Sequence, residues 1–163
     1  MNLRRVATLV LGVLVFAGLS AFAEPPVNFT GTWQLDKTRS VLPASVPSRG
    51  DMTMVIDHKG DTLKIERHAE FMGMHRTFKA TYYTDGREVS NPAPRGQTVI
   101  TKSHWDGKNL VTVGRGSKVT NGETDESTDV KKLEEDGRVM VIDLTVKRPG
   151  KEAEKAHSVY VKK

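Results

Sequence analysis

From Asn28 onward, apolar and polar residues alternate with a period of two, in short runs separated by turn-forming residues. Gly31 to Asp36 places Trp33 and Leu35 on one face. Asp51 to Asp57 sets Met52, Met54 and Ile56 against Thr53, Val55 and Asp57. His58 to Asp61, "HKGD", reads as a tight turn into Thr62 to His68, where Leu63 and Ile65 face inward. His75 to Tyr83 follows with Phe78, Ala80 and Tyr82 on one face, and Asp85-Gly86 ends it. Thr98 to Trp105 and Lys108 to Arg115 flank Asp106-Gly107, read as the centre of a type I′ turn. Thr124 to Leu133 and Arg138 to Lys147 flank Asp136-Gly137 in the same way, and Lys155 to Lys162 is the last strand.

This pattern predicts about eight main strands, a short extra one at Arg87 to Ser90, and no sustained helix. Hairpins joined by short links make sequential strands neighbours in space. The expected fold is therefore all-β, an antiparallel up-and-down meander. A meander of this size removes its exposed edges by closing into a barrel. Val41 to Gly50 and Glu88 to Gln97 carry Pro43, Pro47, Pro92 and Pro94, and are expected to be loops.

The N-terminus is set apart by its pattern. Arg4 and Arg5 precede an uncharged apolar run, Val6 to Leu19, and then Ala21-Phe22-Ala23. That is the layout of a secretory signal peptide cleaved after Ala23. The run is short of the ~20 residues that span a bilayer, and "EPP" follows it instead of a basic flank. The expectation is a leader at 1–23, one domain at 24–163, a secreted or periplasmic location, and no membrane contact after cleavage. The absence of cysteine excludes disulfides and a lipidated cysteine, so the domain depends on its core.

The formal charge is +5, from 25 basic and 20 acidic residues, and Arg4 and Arg5 leave with the leader. Lys131-Lys132, Lys147-Arg148 and Lys162-Lys163 read as solvated surface, not as a nucleic-acid footprint. No nucleophile elbow, phosphate loop or H-E-x-x-H stretch occurs, so no catalytic residue is assigned and the chain is read as a non-enzyme. The acidic stretch Glu123 to Asp136 carries carboxylates on both faces and reads as a solvated strand. His68, Met72, Met74 and His75 carry soft ligands that suit copper, but rim histidines and a methionine-covered turn are the commoner arrangement, so no metal or cofactor is assigned.

The inward faces supply the candidate ligand residues: Met54, Ile65, Phe78, Tyr82 and Trp105, with Thr101 and Ser103 as polar contacts on the Trp105 face. The same residues would equally fill a closed core. The expected partner is a small hydrophobic or amphipathic molecule. The alternative is a packed barrel acting as a cell-envelope interaction or inhibitor module.

Asn28 to Asp36, "NFTGTWQLD", resembles the first strand of the calycins, the barrel superfamily of lipocalins and fatty-acid-binding proteins. Gly31 and Trp33 match its G-x-W. The resemblance implies a lipocalin-like barrel whose base is closed by the indole, with a basic residue packed on it. Lys147, Arg148 and Lys155 are the candidates for that role. Pro-rich "KTRSVLPASVPSRG" stands where fatty-acid-binding proteins carry a helical lid. The chain is most similar to small secreted bacterial lipocalin-like proteins of unknown function, through Phe29 to Lys37, Asp85 to Pro92 and Trp105 to Val111. That likeness implies a fold and a compartment, and no activity.

Overall fold

The structure, a computed structural model, describes residues 27–43, 51–71, 73–93, 96–120 and 122–163. The expected leader, Met72 and most of the first Pro-rich segment lie outside these residues. Ten strands follow in chain order: β1 Gly31–Leu35, β2 Met52–Lys59, β3 Thr62–Phe71, β4 Met74–Tyr83, β5 Glu88–Ala93, β6 Gln97–Asp106, β7 Asn109–Thr120, β8 Glu123–Glu134, β9 Val139–Lys147 and β10 Glu154–Lys162. All pair antiparallel in one sheet, ordered β4-β3-β2-β1-β10-β9-β8-β7-β6-β5. Pairing of β1 with β10 joins the two ends of the chain, and the meander becomes a nearly closed barrel.

The ladder runs unbroken from β4 round to β5, and β4 and β5 have no backbone ladder between them. Asn91 of β5 takes the ladder's place. Its Oδ1 accepts the Thr81 N–H of β4 and its Nδ2 donates to the Thr81 carbonyl, both at 2.8 Å. The amide thus copies a peptide group and satisfies two backbone groups on an otherwise open edge. Asn91 is 4% exposed, and its Nδ2 also reaches Thr101 Oγ1 at 3.1 Å.

The expectation of a loop from Glu88 to Gln97 is corrected here, because Glu88–Ala93 is a strand and contains Pro92. Proline is tolerated there because β5 is an edge strand and need not donate on both sides. Three turns also shift. Lys59 pairs with Thr62, so His58 belongs to β2 and the turn is Gly60-Asp61. Asp106 pairs with Asn109, which puts Gly107, at φ 57°, first in the turn in place of Asp106. Glu134 pairs with Val139, and Glu135, Asp136 and Gly137 all hold positive φ in a longer loop.

The G-x-W stretch closes one end of the barrel. Trp33 is fully buried, and its indole N–H donates to the Phe29 carbonyl at 3.0 Å. Register places Lys162 of β10 opposite Trp33, with Nζ 5.3 Å from the indole ring. The basic partner of Trp33 is thus Lys162, not Lys147, Arg148 or Lys155. Those three stand at the end of β9 and the start of β10, where the chain has reached the other end of the barrel. Gly31, at φ 153°, explains the invited pairing: a Cβ there would lie 2.7 Å from Lys162 Cε. Only glycine leaves the lysine stem a path over to the indole.

Above this base lies the core of Phe29, Trp33, Leu35, Met54, Ile56, Leu63, Ile65, Leu110, Met140, Ile142 and Tyr160. Each large side chain here stabilises the fold by about 1.5–3 kcal/mol through burial.

A two-storey barrel interior with a charged middle

Register defines which residues share the inner face, because directly opposed residues point the same way. From Met54 the inner row runs to Arg67 and Phe78. From Leu63 it runs to Tyr82, and from Ile65 to Ala80. On the other wall Trp105, Ser103 and Thr101 of β6 meet Leu110, Thr112 and Gly114 of β7. Leu110, Thr112 and Gly114 then meet Lys131, Asp129 and Ser127 of β8.

The lower storey is packed. Phe29, His58 and Trp105 stack on one another with centroids 6.0–6.1 Å apart. His58 was expected in a surface turn, but alternation along β2 turns it inward. Its Nδ1 accepts the Phe29 N–H at 3.3 Å, and burial pushes its pKa below the ordinary 6.5. The ring is therefore held neutral, as that acceptor role requires.

The upper storey is accessible. Phe78 faces inward by register yet is 41% exposed. Leu144, Val146, Ala156 and Ser158 also face inward and are only part-buried. These inward side chains, still reached by water, leave this end of the wall open.

Between the storeys sits a cluster of charge. Lys131 was read as solvated surface and is instead 1% exposed. Period two in β8 puts Asp129 and Lys131 on the inner face, and the two form an ion pair. The Lys131 ammonium also lies 5.3 Å from the Tyr82 ring. Lys131 is thus enclosed, while the Asp129 side chain beside it is 21% exposed. Tyr160 donates its hydroxyl to Met52 Sδ at 3.2 Å. Burial raises the Tyr160 pKa, with a smaller lowering from Arg67 and a further rise from Asp129. The Arg67 Nε is buried with no hydrogen-bond partner.

The seven candidate ligand residues divide between these environments. Met54 and Ile65 are buried in the core cluster, with Trp105 packed against it. Thr101 accepts from Asn91, and Ser103 and Thr112 share a 2.8 Å hydrogen bond between hydroxyls. Phe78 and Tyr82 are part-accessible on the β4 wall. Sequence reasoning missed Arg67, Asp129, Lys131 and Tyr160. The period-two signal was present for each, but Lys131 was read as solvated surface, Asp129 as part of a solvated strand, and Arg67 and Tyr160 were given no role.

His68 and His75 do not face one another. His68 is opposite Thr77 and its Nε2 lies 3.4 Å from Glu66, while His75 is opposite Glu70. Among the described residues no group of three or more His, Cys, Asp or Glu is arranged to hold a metal.

No protein-family model and no curated protein matches the chain. Solved structures do. The apo lipid binding protein 8 of Caenorhabditis elegans matches with a TM-score of 0.61 at 15% identity, covering 83% of this chain and 95% of that one. A Schistosoma mansoni fatty acid binding protein in complex with arachidonic acid matches with a TM-score of 0.56 at 16% identity, over 83% and 96%. A secretory abundant heat soluble protein from Ramazzottius varieornatus matches with a TM-score of 0.57 at 14% identity, over 82% and 94%. At these identities the likeness is one of fold: an antiparallel up-and-down β-barrel.

Proposed function

We propose that this chain is a binding protein, not an enzyme, and that it takes a small, partly apolar molecule into the upper storey of its barrel. The observation that carries this reading is the inward yet accessible wall of Phe78, Leu144 and Val146 above a packed base. The fold neighbours support it, since several are named for lipids or fatty acids. A fully packed interaction module would have buried these side chains. The site lies at the end away from Trp33, and the first 23 residues act as a leader to the periplasm or exterior.

The test is titration with 1-anilinonaphthalene-8-sulfonate, a dye that brightens in apolar cavities. Binding should be saturable and weakened at least ~10-fold by Phe78→Asp, which puts a charge into the cavity. The same change on the outer face, Val113→Asp, should leave it unaltered, because Val113 is 41% exposed on the outside of β7. Equal loss in both variants, or no saturable binding, refutes the reading. N-terminal sequencing of protein exported by its host should begin at Glu24.

A further inference from the structure

One imidazole holds the N-terminal segment against the base of the barrel. The Phe29 N–H donates to His58 Nδ1 at 3.3 Å, and the Phe29 ring stacks on both His58 and Trp105. The Phe29 carbonyl in turn accepts the indole N–H of Trp33 at 3.0 Å. Phe29 and Trp33 are fully buried, so both bonds satisfy groups that water does not reach. Thr30 is fastened differently. Its hydroxyl accepts the His58 backbone N–H at 3.0 Å and donates to the His58 carbonyl at 3.2 Å. Those two bonds do not depend on the charge of the ring. The surroundings of the ring are mostly apolar. Leu63 of β3 stands opposite His58, with Tyr82 of β4 beyond it. From Trp105 the inner row continues to Leu110 and then to Lys131, whose ammonium is paired with Asp129. Lys59 points outward and pairs with Asp57. Burial pushes the His58 pKa down, while the Gly60 backbone and the Asp61 carboxylate in the following turn act in the opposite direction.

We propose that His58 is the latch of an acid-operated plug: when its ring gains a proton it releases Phe29 and uncovers Trp33, while the sheet stays closed. A neutral imidazole has one accepting nitrogen, and here Nδ1 accepts from Phe29. The imidazolium carries a hydrogen on both nitrogens, so Nδ1 then turns a donor toward a donor. It also places a charge in an apolar site, which water relieves once Phe29 has left. Without Phe29 the Trp33 indole N–H loses its acceptor and the indole its cover. Thr30 keeps its backbone tie to β2, so the chain swings at Phe29 and the pairing of β1 with β2 and β10 is untouched. The opening lies at the end away from the accessible storey, and it exposes the aromatic surface of Phe29, Trp33 and Trp105 in acid only.

The experiment is acrylamide quenching of tryptophan emission from about pH 7.5 to about pH 4, with far-ultraviolet circular dichroism on the same samples. Trp105→Phe keeps an aromatic ring in the stack and leaves Trp33 as the reporter. The quenching constant should rise at least ~3-fold in a reversible transition centred below pH 6.5, with the dichroism unchanged. His58→Asn supplies an amide oxygen that accepts from Phe29 and does not titrate, so quenching should stay low and flat. Asp61→Asn removes the carboxylate that favours the charged ring, and should move the midpoint to lower pH. Flat quenching in the Trp105→Phe protein overturns the proposal. So does the same rise in His58→Asn, or a rise that comes only with loss of the β-sheet signal. Should Trp105→Phe fail to fold, the unaltered protein gives the reading, since both tryptophans contact Phe29. Should His58→Asn fail to fold, an unmoved midpoint in Asp61→Asn overturns it.

Discussion

Replacing Asp129 by Asn should destabilise the barrel more than any surface change, because it strands a lysine inside. Lys131 is 1% exposed, and its ion-pair partner is the Asp129 carboxylate. Removing one member of a buried ion pair costs about 3–5 kcal/mol, since the remaining charge keeps its desolvation penalty. The reverse change, Lys131→Met, should cost less, about 1–3 kcal/mol: the Asp129 side chain is 21% exposed and keeps contact with water. The double change Asp129→Leu with Lys131→Met should come within ~1 kcal/mol of the unaltered protein, because two apolar groups replace a neutral pair. Urea unfolding followed by tryptophan emission measures all three, with Trp33 and Trp105 as reporters. With a slope of about 1.5 kcal/mol/M, Asp129→Asn should lower the midpoint by about 2–3 M. A drop below ~0.5 M, with the two single effects adding in the double variant, would refute the reasoning.

Asn91→Ala should leave the Thr81 N–H and carbonyl unpaired at the β4–β5 seam, at a cost of about 2–3 kcal/mol. Hydrogen exchange at the Thr81 amide should rise with it, and unchanged exchange would show that the clasp does not hold the seam. Gly31→Ala should strain the backbone and push Lys162 off the indole, lowering stability by about 1–3 kcal/mol; a silent substitution would contradict that account of the G-x-W stretch. His58 sets a pH dependence. Its folded pKa lies below 6.5, so the unfolded state binds more protons just under that value. Its contribution is complete above pH 6.5 and is lost as pH falls through the folded pKa. His58→Asn should flatten the stability curve in that window, and a curve of unchanged shape would count against the neutral-acceptor role.

The period of two in apolar residues was enough to read the class of fold, most strand positions and the inner faces, because a pleated strand alternates sides whatever surrounds it. The plug role of Trp33 was legible for a similar local reason. Other features depended on which strands became neighbours. Pro92 looked incompatible with a strand until β5 proved to be an edge. The resemblance offered Lys147, Arg148 and Lys155 as the basic group over Trp33, whereas β1–β10 register selects Lys162 at the end of the last strand. Lys131 and Asp129 looked like ordinary solvent-facing charges. A single strand cannot say whether its polar side faces water or another wall, since that depends on barrel closure. Alternation along the chain determined what each strand could bury; closure of the sheet decided that Lys131 would be buried and that Asp129 and Arg67 would turn inward with it.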